Sequence, residues 1–247
     1  MEVDVKMKRG WHSVLTKVRQ EQDNSDSFIG GKPCIPAGAE LPVCKICGEP
    51  LTFFFQVAFP KGHMWAGKSL ALFFCTATYH RHQAKEWFPP ELVGADPVDA
   101  GALAPERYQT LFRVIFFNTR DGVLRKDYEE KVVYQRIDWK SGIRKNKSTP
   151  IVLSGDPIWM ESFGKEYPEA YEGKEMKLVL QVAQYFNFEK YPDAPPEMEK
   201  SYTVGADPFC PRRENNYTLF CDFNRVFLWG TEDDENPVFG INVQSDI

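Results

Sequence analysis

The sequence predicts an α+β fold rich in β-structure, made of two related sheet-containing units behind a short N-terminal helix. Three observations carry this expectation: repeated runs of aromatic and β-branched residues, a self-match at an offset of about 125 residues, and one N-terminal stretch with helical spacing of its apolar residues.

The helix comes first. Trp11, Leu15 and Val18 recur at four- and three-residue spacing between residues 9 and 22, and the polar run "EQDNSDS" ends the pattern. Strand-like runs follow at "LTFFFQVAF" (51–59), "SLALFFCTA" (69–77), "TLFRVIFFN" (110–118), "KVVYQRIDW" (131–139), "MKLVLQVAQYF" (176–186) and "NYTLFCDFNRVFLWG" (216–230). Such residues fit a pleated surface with at least one buried face. The segments "PPELVGADPVDAGALAP" and "KYPDAPPEMEK" between them are rich in proline, which cannot donate to a ladder, and read as surface loops.

Laid on itself, the chain repeats three blocks in one order. "GGKPCIP" (30–36) matches "SGDPIWM" (154–160), "GEPLTFFFQVAF" (48–59) matches "GKEMKLVLQVAQ" (173–184), and "LFFC" (72–75) matches "TLFC" (218–221). Ordered recurrence points to a duplication. It divides the chain into a lead-in (1–28), a first unit (29–120), a charged connector (121–150) and a second unit (151–247).

Composition narrows the function. With 43% hydrophobic residues in 247, the chain can bury a sizeable core. Six cysteines are too few for a disulfide scaffold. A net charge of −5 opposes nucleic-acid binding through phosphate neutralisation. The basic stretch "RIDWKSGIRKNK" (136–147) reads as a solvated hairpin edge with its turn at Ser141-Gly142. No apolar run approaches the roughly 20 residues of a membrane span, and charges occupy the start where a signal peptide has its apolar core, so no membrane is expected and the location expected is cytoplasmic.

The pair Cys44 and Cys47, in "CKICGEP", is the sharpest motif. A structural zinc site takes four thiolate or imidazole ligands, often a Cys-x-x-Cys knuckle plus two more. Antiparallel pairing of the runs 51–59 and 69–77 brings the knuckle near Cys75, with His80 next and His82 as its alternative. The expected set is therefore Cys44, Cys47, Cys75 and His80, holding a structural zinc. Redox chemistry suits the pair less, because it precedes a strand where a thioredoxin-like pair opens a helix. The second copy has Glu169 and Glu172 in place of the pair and keeps Cys221 opposite Cys75.

These residues carry a family resemblance. "IGGKPCIP…CKICGEPLTFFFQVAFP…LALFFC" resembles the opening of the programmed cell death protein 2 family, and "DPIWM…MKLVLQVAQYF" resembles its second block; the bacterial YwqG-like family shares the duplicated pattern. The resemblance implies two β-rich units in an α+β fold. For eukaryotic members it implies a chaperone that protects a nascent ribosomal protein, and for bacterial ones proposals include toxin neutralisation. This chain lacks the inserted zinc finger of some eukaryotic members.

Catalytic motifs do not emerge. The sequence has no Gly-x-Ser-x-Gly elbow, no phosphate-cradling loop and no His-Glu-x-x-His. His12, in the expected helix, and His63, in a turn, read as surface residues. Cys34 has Ile158 as its counterpart and reads as a packing position. Gln56 and Gln181 interrupt apolar strands in both copies, and a buried amide must be satisfied, so each is expected to bond a nearby loop. Gly31 and Pro33, and Gly155 and Pro157 with Trp159, read as turn or partner elements. The function expected is non-catalytic protein binding, chaperone-like, with a client polypeptide such as a ribosomal protein. The alternatives are an immunity-type protein with a cognate toxin and an enzyme with an unrecognised site.

Overall fold

A computed structural model describes residues 9–21, 27–44, 48–76, 112–142, 149–160, 173–200, 209–213, 215–219, 224–233 and 235–245. In chain order its strands are β1 (Gly10–Thr16), β2 (Ser27–Ile29), β3 (Cys34–Pro36), β4 (Thr52–Ala58), β5 (Lys68–Phe74), β6 (Phe112–Asn118), β7 (Gly122–Leu124) and β8 (Gln135–Gly142). The second half continues with β9 (Ile151–Leu153), β10 (Met176–Val182), β11 (Asn187–Glu189), β12 (Glu197–Lys200), β13 (Phe209–Arg213), β14 (Asn216–Thr218), β15 (Asn224–Thr231) and β16 (Phe239–Ser245).

Among the described residues there is no α-helix, only a 3-10 turn at Thr119–Asp121, so the described part of the fold is nearly all β and the expected α+β class with its N-terminal helix is corrected. The expected N-terminal helix is β1, a central strand paired with β8 and β9. Trp11 and Leu15 satisfy both periods, since residues four apart share a helix face and also share a strand face. Val18, which made the pattern look helical, lies past the strand and is 42% exposed. No helix among these residues is long and apolar enough to cross a membrane.

Ten strands form one antiparallel sheet in the order β16-β15-β10-β9-β1-β8-β2-β4-β5-β6. Read outward from its centre, the sheet repeats itself: β1, β2, β4, β5 and β6 occupy the same places as β8, β9, β10, β15 and β16. The registers agree at an offset of 124, since Ile29 pairs with Gln135 as Leu153 pairs with Trp11, and Val14, paired with Asp138, faces its own counterpart. Each series lends its first strand to the other, β1 lying beside β9 and β8 beside β2. The ladders β4–β5 and β10–β15, which correspond at an offset of 125, carry the same irregularity at Phe54 and Val179.

Two expectations change here. Ser141 and Gly142 pair with Trp11 and Gly10 inside β8, so the stretch 136–142 is a central strand and not a hairpin edge with a turn there. By sheet position the counterpart of β5 is β15, so the match of residues 72–75 to 218–221 pairs the wrong strands.

The sheet curls until its edges meet. Trp65, in the turn between β4 and β5, places its ring 5.2 Å from Phe116 of β6 and 5.7 Å from Phe239 of β16, giving a nearly closed, barrel-like form. Of the three two-stranded sheets, β3–β7 lies against β6, β11–β14 packs Phe188 and Tyr217 on Phe54, and β12–β13 meets β14 through Glu197 and Thr218. Every residue of β4 is buried, and Phe54 turns outward onto Phe188 and Tyr217. At the irregularity, the Tyr128 hydroxyl accepts the Phe53 N–H at 2.8 Å, and burial pushes that phenol up.

Candidate functional site

The flanks of the knuckle, 42–44 and 48–51, pair with each other. Leu51 donates to the Pro42 carbonyl at 2.9 Å, Cys44 to that of Glu49 at 2.8 Å, and Gly48, at φ +75°, to that of Cys44 at 2.8 Å. Cys75 follows the last pair of the β4–β5 ladder, Thr52 with Phe74, and so lies at the same end of the sheet. Both thiols are buried. Two half-buried cations accompany them. Burial lowers the Arg113 guanidinium against the charge of Cys44, and lowers Lys131 against the charges of Glu129, Glu49 and Cys75. Cys47, His80 and His82 lie outside the described residues, and among the described residues no three His, Cys, Asp or Glu side chains are grouped to hold a metal.

The paired glutamines serve the turns. The Gln56 carbonyl oxygen accepts the Cys34 N–H at 3.0 Å; that of Gln181 accepts the Ile158 N–H at 2.9 Å, and its amide donates to the Asp156 carbonyl at 3.2 Å. Gly30 and Gly31 take left-handed φ values of +61° and +65°, and Ser154 and Gly155 take +54° and +81°. Pro33 is buried and its carbonyl accepts the Arg125 N–H, while Pro157 is half-buried. Trp159 joins a satellite apolar cluster, 5.0 Å from the Phe227 ring and stacked on Trp229.

His63, expected at the surface, is buried against Phe59, whose ring stacks at 4.5 Å, and Trp11. His12, expected in a helix, lies in β1 and contacts the Gly142 carbonyl at 3.1 Å. The His63 Nδ1 accepts the Trp65 N–H at 3.1 Å, which leaves the ring proton on Nε2, and Nε2 donates to Ser154 Oγ at 2.8 Å. Burial lowers the imidazole to about 4. A histidine that activates a serine must offer Nε2 as acceptor, so this contact clasps the β4–β5 turn to the turn after β9.

An open groove of about 670 Å³ lies where the C-terminal end of β1, the turn after β2 and the lead-in to β8 converge. Lys17, Arg19 and Lys32 line it with Gln20, Tyr134, Tyr191 and Glu130. It continues into a hollow of about 370 Å³ that shares Lys32, Glu130 and Tyr191 and adds Lys131, Glu129 and Asp193. One end is thus cationic, the other mixed and richer in carboxylates, with tyrosine between. Lys17 is paired with Glu189 at 2.6 Å. Burial and the carboxylates of Glu130 and Asp193 raise the Tyr191 phenol, partly offset by a bond to the Tyr134 backbone. Below, the buried Lys190 donates to the Ala194 carbonyl at 2.7 Å and that of Tyr191 at 3.2 Å, fixing the wall. Lys32 lies in the wall, where its backbone N–H and C=O bond the Gln20 side chain at 2.9 and 2.7 Å.

Sequence reasoning missed this groove. Its one local signal is the glycine pair before Lys32, because the other lining residues come from segments far apart in sequence. No protein-family model matches the chain, and no match to it is found among the curated proteins.

Proposed function

We propose that the protein is a non-catalytic binding module, chaperone-like and cytoplasmic, that holds an extended segment of a client polypeptide in the groove between Lys32 and Tyr191. The observation that carries this reading is the lining: tyrosines between a cationic end and an end richer in carboxylates, beside a wall whose main-chain groups at Lys32 are bonded by a single side chain, Gln20. Extended peptides are held by main-chain hydrogen bonds, with side-chain pockets adding selectivity. The carboxylates Glu129, Glu130 and Asp193 suit a basic stretch of the client, as a ribosomal protein would supply. The resemblance to the programmed cell death protein 2 and YwqG-like families points the same way.

A structural zinc belongs to the same proposal. The buried thiols of Cys44 and Cys75 share one end of the sheet with two half-buried cations, which would offset the negative charge of a thiolate site. Bound there, zinc would staple the knuckle without reacting. Metal analysis of the purified chain should find about one zinc per molecule, and Cys44→Ser with Cys75→Ser should lose it.

The binding reading is tested by gentle purification of the tagged protein beside a Lys32→Glu, Tyr191→Ala double variant. One polypeptide in near-equal amount with the wild type and absent from the variant is expected. Equal recovery with both would remove the groove from the account.

A further inference from the structure

We propose that Gln20 is a side-chain placeholder in a strand-binding slot: its amide occupies Lys32, and the main chain of a bound polypeptide replaces it there. The inference rests on the reading that the groove holds an extended segment.

Three observations carry it. One side-chain amide takes both the N–H and the C=O of Lys32, at 2.9 and 2.7 Å. That is the two-bond exchange by which a residue pairs with its opposite in an antiparallel ladder, and a carboxamide offers the donor and acceptor of a peptide group. Gly31 is shaped to this contact, because a Cβ there would lie 2.4 Å from Gln20 Oε1.

The two halves of the sheet also differ at this point. In the second, Gln181 from within the sheet bonds the Asp156 carbonyl. In the first, the corresponding donor, Gln56 Nε2, is buried with no acceptor among the described residues, while the Lys32 carbonyl goes to Gln20 in the groove. The first turn leaves an internal donor unused and presents its main chain outward.

Gln20 itself belongs to the non-strand segment after β1, between the exposed Arg19 and Glu21. A half-buried glutamine on such a segment can turn away without unpacking the sheet, and recovers rotamer freedom when it does.

The test uses the full chain, its Gln20→Ala variant, and reduced, carboxamidomethylated lysozyme as a basic, permanently unfolded probe. Main-chain pairing is indifferent to sequence, and a basic chain also suits the carboxylates of the groove. In the free wild type the Lys32 amide should resist hydrogen exchange, and in Gln20→Ala it should exchange freely. The variant should bind the probe on the order of tenfold tighter, because two hydrogen bonds no longer have to be displaced, and saturating probe should restore protection at Lys32. If the probe binds both proteins equally and leaves Lys32 exchanging in the variant, the placeholder is overturned while the groove reading stands. Weaker binding by the variant also overturns it, since Gln20 would then be a contact. If neither protein binds the probe, the groove reading falls, and this inference with it.

Discussion

Gln56 and Gln181 hold the same hydrogen bond in the two halves of the sheet, each accepting the N–H of the residue after the turn proline, Cys34 at 3.0 Å and Ile158 at 2.9 Å. The two are not equal, because Gln181 also donates to Asp156. Replacing either by leucine strands a backbone donor, which costs about 1–3 kcal/mol. Gln181→Leu loses a second bond, whereas Gln56→Leu also removes a buried donor that has no acceptor among the described residues. Urea denaturation should therefore show the larger loss for Gln181→Leu; the reverse order would contradict this assignment.

His63 makes stability depend on pH. Its folded value, about 4, lies below the ordinary 6.5, so the unfolded chain binds the proton first. Its contribution is complete above pH 6.5 and is lost as pH falls toward 4, by about 3 kcal/mol at most. In His63→Gln that part of the slope should vanish. Parallel stability curves for wild type and variant between these limits would show that the imidazole titrates normally.

Backbone conformation separates the two turns. A Cβ on Gly30 would meet the Val132 carbonyl oxygen at 2.4 Å at a φ of +61°, whereas Ser154 carries its Cβ at +54° and uses its hydroxyl. Gly30→Ala should cost more than the roughly 1–2 kcal/mol of the left-handed conformation alone. Ser154→Gly relieves that conformation but strands the buried His63 Nε2–H, at about 1–3 kcal/mol, so its net loss should be smaller than that of Gly30→Ala. Thermal melts of both variants check the contrast.

Much of this frame was legible in the sequence, for reasons that also mark where legibility ends. The runs around 52–58, 68–74, 112–118 and 176–182 became β4, β5, β6 and β10 because dense aromatic and β-branched residues leave few other ways to bury them. β1 was hidden because Ser13, between Trp11 and Leu15, is polar yet buried, its Oγ accepting the Ile151 N–H at 3.0 Å. That bond joins residues far apart in sequence. β2, β3 and β9 are three residues each, too short for a period to show. The groove is less legible still. Lys17, Lys32, Tyr134 and Tyr191 meet only through the sheet order, and nothing local in "LTKVRQ" marks Gln20 as a partner of Lys32.

Closure of the sheet gives a further prediction. A Cβ on Gly230 of β15 would lie 2.9 Å from the Trp65 ring, whose Nε1 donates to the Asp233 carbonyl at 3.0 Å. Gly230→Val should push the indole out, costing about 1–3 kcal/mol. Trp65→Phe should lose the bond and keep most of the packing, so the glycine variant should be the less stable. Equal losses would mean that Trp65 does not fill the gap between the sheet edges.

Site-specific photocrosslinking in native cells tests the groove itself, with a photoreactive amino acid at Tyr191 and, as control, at Met64, exposed on the far turn of the β4–β5 hairpin. One dominant polypeptide adduct is expected from position 191 and none from position 64. Adducts from both positions alike, or from position 64 alone, would contradict a client held in this groove.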